Sequence, residues 1–262
     1  MPAFGLGAWN IGDSPAQRAE EIATLRLGLD LGAKLIDTAE MYGEGRSEEL
    51  VGEAIAGRRD EVFLVSKVYP HNASRKGVAA ACERSLKRLK TDRIDLYLLH
   101  WRGSIPFSET IDAFTALQKA GKIRHFGVSN LDFRDTQDWC KATGGAALAA
   151  NQLLYNLSRR GIEWDLLPWL QKKRVPVMAY SPIEQARLLR DPRLVKFAGS
   201  RGITPSQAAL AWLLQKEGVI VIPKTGRRER LKENLGALEV KGLEELDRLF
   251  PPPAGPQPLD ML

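Results

Sequence analysis

The chain has 262 residues, 44% hydrophobic and 27% charged, the make-up of an ordinary globular protein large enough to bury a core without disulfide staples. Two cysteines, Cys82 and Cys140, exclude a disulfide framework and offer no metal-ligand spacing, and no apolar run approaches the roughly 18 residues of a membrane span. The net charge of +6 admits nucleic acid, a membrane surface or an anionic small ligand, but most of it is interleaved with acidic residues.

In chain order, residues 4–9 predict a strand and 15–31 a helix, with Ser14 as N-cap, Pro15 at the first helical position and Gly32 as the stop. Residues 34–37 read as a strand and 47–55 as a helix capped by Ser47, then 62–67 as a strand and 75–89 as a helix. Residues 94–100 continue the series as a strand, with 107–120 a helix ended by Gly121. A strand at 123–129 precedes a helix at 132–142 that ends near Gly144-Gly145. A strand at 149–154 precedes a short helix at 165–173. The last units are a strand at 177–180 with a helix at 205–215 capped by Thr204, and a strand at 219–222 with a helix at 228–235. A final helix spans 243–249, and the proline-rich stretch 251–262 is irregular.

Strand followed by helix, repeated about eight times in about 250 residues with no linker, predicts an α/β fold, a (β/α)8 TIM barrel, as one domain over residues 1–262. The first strand starts so close to Met1 that no hairpin is expected beneath the barrel, and no basic, then apolar leader opens the chain, so the expected location is the cytoplasm with both thiols free.

Active sites of such barrels lie at the C-terminal ends of the strands. The strand ends here carry Asp37, Lys67, His100, Ser129-Asn130, Gln152, Tyr180-Ser181 and Lys224, each closing an apolar run. A charge there is unfavourable unless it is paired or functional. Tyr42 follows Asp37 by five residues. A phenol has an ordinary pKa near 10, and a neighbouring ammonium lowers it. A carboxylate would hold that ammonium, and a histidine beside the phenol could hydrogen-bond a substrate oxygen. Together the four could protonate an oxygen on which charge develops. Singly, each has a plainer role as cap, rim lysine, loop aromatic or core histidine.

The stretches Leu35-Ile36-Asp37-Thr38-Ala39-Glu40-Met41-Tyr42-Gly43, Val65-Ser66-Lys67-Val68, Asp95-Leu96-Tyr97-Leu98-Leu99-His100-Trp101, Gly127-Val128-Ser129-Asn130 and Ile222-Pro223-Lys224-Thr225 resemble, in order and spacing, the motifs of the aldo-keto reductases. Small bacterial members that reduce methylglyoxal are the nearest in pattern. The resemblance implies a barrel that binds NADPH across the strand ends and passes hydride to a carbonyl carbon. It implies Tyr42 as general acid, Lys67 paired with Asp37 lowering the Tyr42 pKa, and His100 orienting the carbonyl. It places the nicotinamide carboxamide against Ser129, Asn130 and Gln152 and the ring against Tyr180, and counts Gly7, Trp9, Asp37, Ser181, Pro182, Ile222 and Pro223 among the further cofactor-binding positions. Lys224, Thr225 and Arg230 would take the 2′-phosphate, with Glu233 and Asn234 on the adenine. The basic cluster Lys224, Arg227, Arg228, Arg230 and Lys232 gains a use in this way, and the helix opened by Arg228 would turn its positive end to the phosphate.

The sequence departs from the family after Tyr180-Ser181-Pro182. Ile183-Glu184-Gln185-Ala186-Arg187 stands where a leucine and glycines are usual, so the diphosphate loop is expected to be less snug and Glu184 to point away from the phosphates. Short loops imply an open pocket for small aldehydes and dicarbonyls, walled by Trp9, Tyr69 and Trp101. The expected partner is a small carbonyl compound, with no nucleic acid, membrane or metal, and a monomer is the family default. A non-catalytic NADPH-binding redox sensor on the same scaffold is the alternative. A metal hydrolase or glycosidase lacks its ligand cluster or second carboxylate here.

Overall fold

The computed structural model describes residues 1–142 and 148–262, so the helix stop expected at Gly144-Gly145 lies outside the described residues. Eight strands pair in parallel in chain order: β1 (Gly5–Gly7), β2 (Leu35–Asp37), β3 (Phe63–Val68), β4 (Ile94–Leu99), β5 (Ile123–Ser129), β6 (Asn151–Leu154), β7 (Val177–Tyr180) and β8 (Val219–Val221). The ring closes where Val221 N–H donates to the Ala3 carbonyl at 2.9 Å and Gly7 N–H to the Pro223 carbonyl at 3.0 Å. A Cβ on Gly7 would lie 2.6 Å from the Ile222 carbonyl oxygen, so only glycine lets β1 approach β8 this closely.

Helices α1 (Arg18–Asp30), α2 (Arg46–Ala54), α3 (Arg75–Leu89), α4 (Phe107–Lys119), α5 (Phe133–Lys141), α6 (Leu166–Lys172), α7 (Pro192–Ser200), α8 (Pro205–Leu214), α9 (Arg228–Leu235) and α10 (Glu244–Leu249) accompany the strands. None is long and apolar enough to cross a membrane. The larger core lies between sheet and helices, around Phe114, Trp139 and Trp212. A smaller, separate cluster fills the barrel's interior.

Strand periodicity explains both cores. On β2, Leu35 packs in the interior cluster while Ile36 belongs to the outer one. On β4, Leu96 and Leu98 are interior, and Tyr97 and Leu99 are outer. Continuing the same alternation to the strand ends brings Asp37, Lys67, His100, Ser129, Gln152 and Tyr180 to the inner face, above the apolar plug. A parallel strand covered on both faces reads as an unbroken apolar run, which is why the strand positions stood out in sequence.

Several details differ from the sequence reading. Residues 15–17 form a 3-10 turn ahead of α1, and Ser14 precedes it without a side-chain cap bond. Ser47 is not a cap: Gly45 takes that place, and the Ser47 hydroxyl donates to the Ala8 carbonyl at 2.9 Å. α7 was not expected; the Asp191 side chain accepts from Arg193 N–H to start it, with Pro192 following the cap. The Thr204 cap of α8 is present and forms a reciprocal capping box with Gln207.

Candidate active site

Lys67, at the end of β3, is fully buried. Its three ammonium protons have three acceptors: Asp37 Oδ2 at 2.8 Å, the Thr38 carbonyl at 2.9 Å and the Tyr42 hydroxyl oxygen at 3.0 Å. The other Asp37 oxygen accepts from Gln152 Nε2 at 2.8 Å, across the barrel from β6. A buried ion pair is tolerated when its remaining lone pairs and protons are satisfied in this way. Burial alone would pull the Lys67 pKa down, but the Asp37 carboxylate and the Tyr42 oxygen outweigh it, so Lys67 stays charged, above its ordinary value.

For Tyr42 the balance runs the other way. Desolvation pushes its phenol above the ordinary 10, and the Lys67 charge only partly offsets this, with Asp37 working against it. Lys67 pulls the phenol down as expected, but burial outweighs it and the net direction is upward. His100 is buried with its ring edge-on to Tyr42, centroids 5.9 Å apart. Its Nδ1 has no hydrogen-bond partner among the described residues. Burial, then the Lys67 charge, hold its pKa well below the usual histidine value, so it is neutral. A phenolic O–H and a neutral imidazole thus lie side by side.

The residues assigned to nicotinamide form a linked set on β5, β6 and β7. Tyr180 donates its hydroxyl to Asn130 Oδ1 at 2.9 Å, and Asn130 Nδ2 donates to Ser129 Oγ and to the His100 carbonyl, both at 3.2 Å. Ser129 Oγ donates in turn to the Gln152 carbonyl at 2.9 Å. Burial pushes the Tyr180 phenol up to about 12, so it keeps the proton it donates.

At the end of β8 the cationic group behaves differently. Lys224, Arg227 and Arg230 are exposed, and none forms a salt bridge among the described residues. Arg228 is already committed to Glu20, at 3.0 and 3.1 Å. Thr225 Oγ1 accepts from Arg227 N–H at 3.1 Å, just ahead of α9. Asn234 is buried and its Oδ1 accepts from the Ser206 hydroxyl at 2.7 Å, while Glu233 is half-buried on the same helix. Tyr69 and Trp101 meet edge to face at 5.8 Å, with Trp101 also 4.9 Å from the His100 ring. Trp9 is 42% exposed and makes no ring contact with either among the described residues.

Three contributors escaped the sequence reading. The Thr38 carbonyl holds Lys67, and a backbone atom leaves no signal in sequence. Glu40 is buried and accepts from Tyr69 N–H at 2.9 Å and Asn72 Nδ2 at 3.0 Å, fastening the loop that carries Tyr69; an acid inside the motif after β2 was the available clue. Glu184 is a buried hub joined to Asn156, Arg159 and Arg187. No group of three or more His, Cys, Asp or Glu side chains is placed to hold a metal among the described residues.

Residues 3–247 match the Aldo/keto reductase family. The methylglyoxal reductase YeaE of Escherichia coli strain K12 is 48% identical over 271 residues, covering all of this chain and 95% of its own. An aldo/keto reductase from Klebsiella pneumoniae, solved in complex with NADP and acetate, is 50% identical with a TM-score of 0.97, covering all of this chain and 96% of its own. A second Klebsiella pneumoniae structure, in complex with NADPH, has the same identity and TM-score, covering all of this chain and 95% of its own.

Proposed function

The chain belongs to the aldo/keto reductase family, and on that premise we propose that it reduces small aldehydes and dicarbonyls, methylglyoxal among them, to alcohols with NADPH, Tyr42 giving the proton. It is an oxidoreductase, and bound NADPH supplies the hydride. The observation that carries the reading is the Asp37–Lys67–Tyr42 chain beside a neutral His100.

The donor set fits this cofactor. Lys224 and Arg230, without an ion pair among the described residues, suit a phosphate dianion, and the Tyr180–Asn130–Ser129 set offers amide and hydroxyl groups to a carboxamide. Asp37 would hold Lys67 charged and in place. Lys67, fixed under the Tyr42 oxygen, would stabilise the phenolate left when the proton goes to the substrate oxygen. His100 would hydrogen-bond the same oxygen as a neutral ring. The apolar plug below keeps the bottom of the site dry, which strengthens each of these interactions. A cytoplasmic setting is in keeping with the two free thiols, of which Cys82 is buried and pushed up to about 12 by that burial.

Titration of NADPH, followed by methylglyoxal with the nicotinamide absorbance monitored, should show steady oxidation. Tyr42→Phe should lower turnover by about 10²–10⁴-fold with NADPH affinity unchanged. Near-normal turnover in that variant would remove Tyr42 as the acid.

A further inference from the structure

The His100 ring lacks the partner that ordinarily fixes an imidazole. Its Nδ1 is buried and meets no hydrogen-bonding group among the described residues, where a carbonyl or carboxylate commonly holds that atom. The backbone is tied, since the His100 carbonyl accepts from Asn130 Nδ2 at 3.2 Å, but the ring is placed by packing. Tyr42 meets it edge-on at 5.9 Å, and the Trp101 ring lies 4.9 Å away at a tilt of 54°. Trp101 in turn stands edge to face with Tyr69 at 5.8 Å, and Tyr69 is stacked on His71 at 4.6 Å.

A carboxylate outside this row of rings holds it. Glu40 lies between Asp37 and Tyr42 in sequence and is buried. Its Oε1 accepts from Tyr69 N–H at 2.9 Å and from Asn72 Nδ2 at 3.0 Å, so one oxygen closes the turn Pro70–Asn72 from both ends. Its Oε2 faces Arg84 of α3 at 3.4 Å. The turn is locked on other sides as well. The Ala73 carbonyl accepts from Thr110 Oγ1 at 2.8 Å, and a Cβ on Gly103 would lie 2.7 Å from the Pro70 Cβ. The segments after β3 and β4 are thus packed as one piece, and Glu40 fastens that piece to the segment that carries Tyr42. A buried charge is a weak source of stability, and its best-attested use is to fix one arrangement over others.

We propose that Glu40 is a positioning residue for the reaction: by fastening the Tyr69 turn it sets Trp101, and through Trp101 the orientation of the His100 ring beside Tyr42. The inference rests on reading the site as that of a carbonyl reductase. It gives the orienting task of a carboxylate on histidine to a carboxylate two rings away.

The test compares Glu40→Gln, which keeps an acceptor oxygen for Tyr69 and Asn72, with Glu40→Leu, which keeps the bulk and removes both acceptors. Single-turnover reduction of methylglyoxal at saturating NADPH should fall by about 10–10²-fold in Glu40→Leu, the scale of a small misplacement of a reacting group. It should stay within about three-fold of the parent in Glu40→Gln. NADPH affinity should hold in both. In a Trp101→Leu background the effect of Glu40→Leu should shrink to about two-fold, because the route to His100 has been cut. The His100 ring signals in proton–carbon NMR spectra of the cofactor-free protein should move in Glu40→Leu and stay in place in Glu40→Gln. Asn72→Ala, which leaves Glu40 and its bond from Tyr69 N–H intact, should give a smaller loss of rate of the same kind. A raised KM with the single-turnover rate unchanged would make the turn a pocket wall only and overturn the proposal. So would a Glu40→Leu effect undiminished without Trp101. If Glu40→Leu fails to fold, a parent-like rate in Asn72→Ala overturns the proposal by itself. Parent protein that binds NADPH but reduces no aldehyde would refute the reductase reading instead, and the His100 signals would still decide whether Glu40 sets the ring.

Discussion

At the end of β3 the Lys67 ammonium has every proton placed, on Asp37, Thr38 and Tyr42. At the end of β8 the Lys224 ammonium and the Arg230 guanidinium stand exposed, with no ion pair among the described residues. The first cation is built into the protein, whereas the second has no partner among the described residues. On the proposed function, the difference follows from what each would do. A group that stabilises charge during a reaction works best when it needs no rearrangement at that moment. A group that captures a phosphate works best when the phosphate is its missing partner, since a competing carboxylate would have to be displaced. Arg228 makes the same point from the opposite side, because its pairing with Glu20 leaves it a poor candidate for the phosphate despite its place in the cluster.

Breaking the finished half should have the largest effect. Lys67→Met leaves the Asp37 carboxylate buried with only the Gln152 amide as a donor, which should cost roughly 3–5 kcal/mol of stability in a urea melt, with reduction lost as well. Unaltered stability would mean that the pair is not charged as described. In the unfinished half, Lys224→Ala with Arg230→Ala should leave the fold intact and weaken NADPH by about 10²-fold, with NADH scarcely affected. Equal losses for both cofactors would remove the phosphate assignment. Arg228→Ala sharpens the contrast, since its effect on NADPH affinity should stay within about two-fold.

The smallest effect is a missing one. His100 is held below its ordinary 6.5, so it remains neutral as pH falls through that value, and the rate should show no acid limb there. Tyr42 is held above its ordinary 10, so it keeps its proton until pH passes that value, and the basic limb should lie beyond 10. A basic limb below 10 assigned to Tyr42 in the kcat/KM profile would mean that Lys67 outweighs burial.

The finished half was also the more legible one. Asp37, Lys67 and His100 each end an apolar run, and period-two alternation carries them inward onto one face. The net direction of the Tyr42 pKa was not legible, because it depends on how burial weighs against a lysine already paired elsewhere. Glu184 showed the limit most clearly. In sequence it marked only a departure from a glycine-rich loop, and its partners Asn156 and Arg159 come from the loop after a different strand. Ser47 misled in the ordinary way: a good cap residue at a helix start was taken instead by the Ala8 carbonyl.

The hydrogen bond from Gln152 to Asp37 joins residues 115 positions apart, and the barrel's seam joins Val221 to Ala3. Contacts of such separation carry a heavy loop-closure penalty and form late in folding. A growing chain therefore emerges from the ribosome with Asp37, Tyr42 and Lys67 synthesised early but their scaffold incomplete, and its first strand has no partner on one side until β8 arrives. During that interval the exposed edge of β1 is a site for misassociation, and the glycines that later permit the tight seam also keep the waiting strand short of apolar side chains that a stray neighbour could grip.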